Sequence, residues 1–238
     1  MAEVKRKFAT ILAMDCVGFS KHMLEDEQAT FESLTACREI IDSLIEQYGG
    51  RIFHTAGDSV IADFESAIET VNCAIKLQEA INERNETISE QDLRRKLIWR
   101  IGIHSDDVIF ESDNVYGNGV NIASRLEAQC LPGQILVSKV INEQVASRIE
   151  AISRAAGTKK LKNISSEFEV FTISTDKTYS FEEADTSKEK EDTNGTEKPT
   201  LSILPFKNLN ENEDSSFLID GVYEDILTEL SMVRQLSI

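Results

Sequence analysis

The sequence predicts an α+β domain with a βαββαβ element order of the ferredoxin-like kind, an antiparallel sheet with helices packed on one face. Three observations predict it. Short apolar runs such as FATILAMD (8–15) and LIWRIGIH (97–104) flank long stretches of helical periodicity. A Gly-Gly pair at 49–50 closes the first of those stretches. Two strand-like runs, RIFHT and SVIADF, stand on either side of a tight Ala-Gly-Asp turn at 56–58.

The elements come in this order. FATILAMD has the apolar density of a buried strand. From about Glu25 to Tyr48, Phe31, Leu34, Ile41, Leu44 and Ile45 recur at helical spacing. After the hairpin, Ile68, Val71, Ala74, Ile75, Leu77 and Ile81 mark a second helix from about Ser66 to Asn85. LIWRIGIH and DVIFE (107–111) read as two further strands, a third helix runs from about Gly119 to Gln129, and QILVS (134–138) and EFEVFTI (167–173) read as later strands.

Residues 1–175 therefore form the first domain. Asp176 to Glu197 are charged and nearly free of large aliphatic residues, the composition of a flexible acidic linker. Apolar patterning resumes at KPTLSILPFKNL and continues into a helical segment, GVYEDILTELSMV. Some forty residues are too few for an independent core, so 198–238 reads as the start of a second domain that is incomplete here.

With 42 acidic against 25 basic residues and a net charge of −17, the chain is a poor partner for nucleic acid or anionic membrane. Cys16, Cys37, Cys73 and Cys130 form no C-x-x-C pair, and His22, His54 and His104 lack metal-ligand spacing, so reduced thiols in a cytoplasmic setting are expected. No stretch is long and apolar enough to be a signal peptide or membrane span.

Two clusters carry chemistry. Asp15 ends the first strand and Asp58 sits at the hairpin tip, so a βαββαβ sheet can bring them together, and facing carboxylates repel unless a cation lies between them. Such hard oxygen ligands suit a pair of Mg²⁺ or Mn²⁺ ions acting at phosphorus. The same spacing fits a helix cap at Asp15 and a plain turn residue at Asp58 equally well. The loop after Asp15 contains Gly18 and Phe19, and its backbone N–H groups could cradle phosphate oxygens. In NVYGNGVNIASRLEA (114–128), Asn121 and Arg125 are four apart and share a helix face. Solvation alone can explain that spacing. With Lys162 they would supply an amide, a guanidinium and an ammonium to a triphosphate.

The pieces ATILAMDCVGFS, GGRIFHTAGD, RIGIHSDDVI, VYGNGVNIASRLE and LKNI resemble, in family order, the catalytic domain of class III nucleotidyl cyclases in its bacterial form. The resemblance covers about Phe8 to Ile173 and implies a palm-type fold. It further implies that Asp15 and Asp58 hold two metal ions, Asn121 and Arg125 stabilise the transition state, and Lys162 binds the terminal phosphates. The ribose 3′ hydroxyl of ATP or GTP would attack the α-phosphorus and expel pyrophosphate, in signal transduction. It implies a head-to-tail homodimer with two composite sites and an inactive monomer.

The sequence departs from the family at the base-reading positions. His54 stands where adenylate cyclases usually carry Lys, and Asn114 stands where they usually carry Asp, with Asp113 one residue out of register. Neither residue matches the Glu and Cys usual in guanylate cyclases. Imidazole and carboxamide can each donate or accept and so suit either purine, and the domain's bacterial look makes ATP a mild preference over GTP. The alternative is a pseudo-cyclase acting as a dimerising or nucleotide-sensing module, against which all five metal, phosphate and transition-state residues are present. A diguanylate cyclase is disfavoured because the hairpin lacks a Gly-Gly-Asp/Glu-Glu-Phe signature. The region from Lys198 resembles the segment C-terminal to such domains in multi-domain bacterial proteins, which suggests a protein partner for the C-terminal region.

Overall fold

A computed structural model describes residues 5–112, 114–161 and 167–175. The linker and the second-domain segment expected from the sequence lie outside the described residues, as do Asp113 and Lys162.

The elements are β1 (Lys5–Cys16), α1 (Phe19–Glu25), α2 (Glu27–Gln47), β2 (Arg51–Ala56), β3 (Ser59–Phe64), α3 (Ala67–Glu86), a 3-10 turn (Glu90–Arg95), β4 (Trp99–Glu111), β5 (Asn114–Tyr116), α4 (Asn118–Ala128), β6 (Ile135–Ser138), α5 (Lys139–Val145), β7 (Ile152–Lys160) and β8 (Glu167–Ser174). The strands join one sheet in the order β2-β3-β1-β4-β6-β8-β7, with β5 paired to the far end of β4. The α+β class and the βαββαβ start are borne out.

Four details differ from the sequence reading. The helix expected from about Glu25 to Tyr48 is α2, and a short helix not expected there, α1, precedes it: Asp26 is extended (φ −159°), ending α1 and capping α2 by accepting from the Ala29 N–H at 3.0 Å. Residues 99–111 form one long strand rather than two, because Ser105, Asp106 and Asp107 keep their pairing with Thr10, Ala9 and Phe8. The sheet is antiparallel except at β4 and β6, which run parallel because the α4 crossover connects them. Helices also cover both faces. The α2 and α3 residues Ile41, Ile45, Val71 and Leu77 pack with Leu12, Met14, Val60 and Phe64, whereas Ala123 of α4 packs with Ile11 and Ala13 on the opposite face. On α2, Phe31 is 63% exposed although it shares the helical spacing of buried Ile41 and Ile45.

Buried amides fix α3 to the start of β4. Gln78 Nε2 donates to the Trp99 carbonyl at 3.0 Å and Asn85 Nδ2 donates to the Leu97 carbonyl at 2.8 Å. At the next level of the same strand His104 is buried, its Nδ1 2.8 Å from Ser138 Oγ, and burial holds its pKa below the ordinary value. This core bonding ties β4 to β6.

Candidate active site at the carboxylate end of the sheet

Register brings the acids together. β1 lies between β3 and β4, pairing Met14 with Val60 on one side and Asp15 with Arg100 on the other. The hairpin between β2 and β3 turns at Gly57 and Asp58, and Gly57 takes φ +61°, which suits glycine in the first position of a two-residue turn. That turn delivers Asp58 to the end of β1, where its Oδ2 accepts the Cys16 N–H at 3.1 Å. Burial, and then the neighbouring Asp15 charge, raise the Asp58 pKa.

Two further side chains, missed from the sequence, complete this end. Arg100 Nη2 donates to Asp15 Oδ2 at 3.2 Å and forms an ion pair with Glu127 Oε1 at 3.0 Å. Glu127 reaches it because α4 lies directly on β4: a Cβ on Gly102 would stand 2.2 Å from the Glu127 nitrogen and 2.4 Å from the Ala123 carbonyl oxygen. Burial pushes the Glu127 pKa up to about 7 against the opposing pull of Arg100, with Asp15 and Asp58 adding to the rise.

The fit to a divalent cation follows from this geometry. Asp15 and Asp58 are partly buried carboxylates close enough for one charge to disfavour the other, which a cation relieves. Among the described residues no group of three or more His, Cys, Asp or Glu side chains is placed to hold a metal. The protein would therefore contribute two carboxylates, leaving other positions for water, backbone and phosphate oxygens, the usual Mg²⁺ arrangement. Gly18, at φ +67°, caps α1, and Phe19 packs against the α2/α3 core, so the first N–H groups of α1 lack intrahelical acceptors just beyond Asp15.

The remaining expected residues form a second group. Asn121 is exposed and Arg125 half-buried, one turn apart on α4. Among the described residues neither side chain makes a hydrogen bond or ion pair. β5 comes back against β2, which places exposed Asn114 in the neighbourhood of exposed His54. A bulge between Ile52 and His54 sets His54 opposite Ile61, on the face that carries Phe53 rather than the face of the α2/α3 core. Without it His54 would share the inward side of Ile52.

Residues 3–175 match the family model of the adenylate and guanylate cyclase catalytic domain. A protein of Rhizobium meliloti (strain 1021), named as an adenylate cyclase, is 34% identical over 234 residues, covering 98% of this chain and 39% of its own length. An adenylate cyclase of Streptomyces coelicolor is 29% identical over 64% of this chain and 38% of its own. The chain thus spans about two-fifths of these relatives. A crystal structure from Silicibacter pomeroyi titled adenylate/guanylate cyclase/hydrolase is 32% identical with TM-score 0.67, covering 73% of this chain and 100% of its own.

Proposed function

The chain belongs to the family of adenylate and guanylate cyclase catalytic domains, and from that premise we propose that it converts ATP, in preference to GTP, to the 3′,5′-cyclic nucleotide and pyrophosphate for signal transduction. The observation that carries this reading is the clamp of the Asp58 turn onto the end of β1, which sets its carboxylate beside that of Asp15. Asp15 and Asp58 would hold two Mg²⁺ or Mn²⁺ ions. When bound, these ions supply positive charge to the phosphate oxygens and favour the ionised form of the attacking hydroxyl.

The chain's own groups do the rest. The first N–H groups of α1, after Gly18 at Phe19, face the phosphates, and Lys162 pairs with their terminal charge. Asn121 and Arg125 donate to the α-phosphoryl oxygens as charge builds on them, stabilising the transition state. The 3′ oxygen bonds to the α-phosphorus, its proton leaves, and the α–β bridging oxygen departs with pyrophosphate. His54 donates to a purine ring nitrogen while the Asn114 carbonyl accepts from the exocyclic amine, which favours adenine.

Arg125 and Asn121 have no polar partners among the described residues, in keeping with a head-to-tail homodimer whose sites each combine the carboxylates of one chain with the α4 residues of the other. Residues 1–175 are the catalytic domain, 176–197 a linker, and 198–238 the start of a second domain that would bind a protein partner. The Rhizobium meliloti alignment extends past residue 175, which supports a shared C-terminal region. No helix among the described residues is long and apolar enough to cross a membrane, and a cytoplasmic site of action fits the four free cysteines.

Incubation with ATP or GTP and Mn²⁺ or Mg²⁺, with cyclic AMP, cyclic GMP and pyrophosphate quantified separately, tests the reading. Cyclic AMP with equimolar pyrophosphate is the expected outcome. No cyclic product from a folded dimer would leave a nucleotide-sensing pseudo-cyclase.

A further inference from the structure

Resting on the metal reading of Asp15 and Asp58, we propose that Arg100 is a built-in competitor for the cation at Asp15, and that Glu127 is the positioning residue that draws it away. Arg100 stands across the β1–β4 pairing from Asp15, so its guanidinium is at the carboxylate by register rather than by chance side-chain reach. One nitrogen, Nη2, serves two acids from two elements, Asp15 Oδ2 at 3.2 Å and Glu127 Oε1 at 3.0 Å. The Arg100, Asp15 and Glu127 side chains are 25%, 28% and 12% exposed, so solvent screens these pairs less than it screens surface ones. Arginine stays charged at any working pH. A cation and a guanidinium on the same carboxylate repel, so metal binding at Asp15 works against the Arg100 contact.

The pairing left unmade shows where Arg100 goes. Its Nε is buried and donates to nothing among the described residues, and Glu127 Oε1 is buried and, despite the ion pair, accepts no aligned hydrogen bond. Turning the guanidinium off Asp15 toward Glu127 lets both groups be satisfied, and unmade bonds at buried polar atoms are costly. The α4 backbone rests on Gly102, which holds the Glu127 backbone beside β4.

Removing the Arg100 charge frees Asp15 and tightens metal binding. Neutralising Glu127 commits Arg100 to Asp15 and weakens it. Were Glu127 instead attracting the cation by its own charge, that weakening would survive the loss of Arg100.

Mn²⁺ alone is titrated into the full 238-residue chain without nucleotide, and the free aqueous ion is read by electron paramagnetic resonance. Arg100→Gln is expected to lower the Kd about fivefold and Glu127→Gln to raise it about fivefold, the scale of a partly screened ion pair. In the Arg100→Gln background, Glu127→Gln is expected to shift the Kd by less than about twofold, since the two act as one unit. Equal weakening by Glu127→Gln in both backgrounds overturns the positioning role, and an unchanged or higher Kd in Arg100→Gln overturns the competition. The Arg100→Gln measurement stands by itself if the Glu127 variant does not fold. Mn²⁺ binding that Asp58→Asn leaves untouched overturns the metal reading and this inference together.

Discussion

The two halves of the proposed site are built in opposite ways. At the carboxylate end Asp58 is tied to the Cys16 N–H, and Asp15 to Arg100, which is tied in turn to Glu127. At the α4 and β5 end His54, Asn114 and Asn121 are exposed, and Arg125 has no polar partner among the described residues. One half pairs its charged groups with one another within the chain, and the other presents polar groups without polar partners among the described residues. In the proposed head-to-tail dimer that second surface is the one a ligand or a second chain would complete.

The sharpest way to break that comparison is to disable each half separately. Asp58→Asn is expected to lower turnover about a hundredfold or more, on the scale of losing a group that stabilises developing charge, with the dimer intact by sedimentation. Arg125→Ala is expected to be similarly inactive. An equal mixture of the two should recover about a quarter of wild-type activity, since half the dimers are mixed and each of those carries one intact composite site. No recovery in demonstrated mixed dimers would place both halves of the site in one chain.

Gly102 joins the halves, because it lets α4 rest on β4. Gly102→Ala must push the helix outward, since the added carbon would sit 2.2 Å from the Glu127 nitrogen. It is expected to cost about 2–3 kcal/mol in denaturant unfolding. A change within about 0.5 kcal/mol, the ordinary scale of a harmless surface substitution, would mean the helix adapts freely.

The carboxylate half should also show in the pH dependence of metal-free stability. The folded Glu127 pKa of about 7 lies above its ordinary value of 4.5. The folded chain therefore holds a proton the unfolded chain has lost, and Glu127's stability contribution is complete below pH 4.5 and lost as pH rises through 7. Glu127→Gln should remove on the order of 2–3 kcal/mol of that decline. Asp58, raised in the same direction by burial and by Asp15, adds to that decline. Parallel stability curves for the two proteins from pH 4.5 to 7 would contradict the burial argument.

The smallest effect belongs to the open half. His54→Lys with Asn114→Asp should raise the ATP over GTP ratio of kcat/KM about tenfold, the scale of one hydrogen-bonded discrimination. An unchanged ratio would show that these positions do not read the base.

Asp15 and Asp58 were legible because each sits at a locally marked place, a strand end and a Gly-Asp turn. Arg100 and Glu127 were not. WRIGIH carries only a strand signal and SRLEA only a helix signal, and nothing near either residue says that one faces Asp15 and the other faces Arg100. α5 is too short for periodicity to register, and β7, reading ISRAAGTKK, is mostly exposed and shows no apolar alternation.

The sequence by itself determined the βαββαβ start, the hairpin turn and the composition of both residue groups, because turn chemistry and apolar period act over a few neighbouring residues. Only the tertiary structure decided that Asp15 meets Arg100, that α4 takes the face opposite α2 and α3, and that a bulge turns His54 outward. Those outcomes depend on register between segments far apart in the chain, where a slip of one residue would turn every side chain of a strand to the other face.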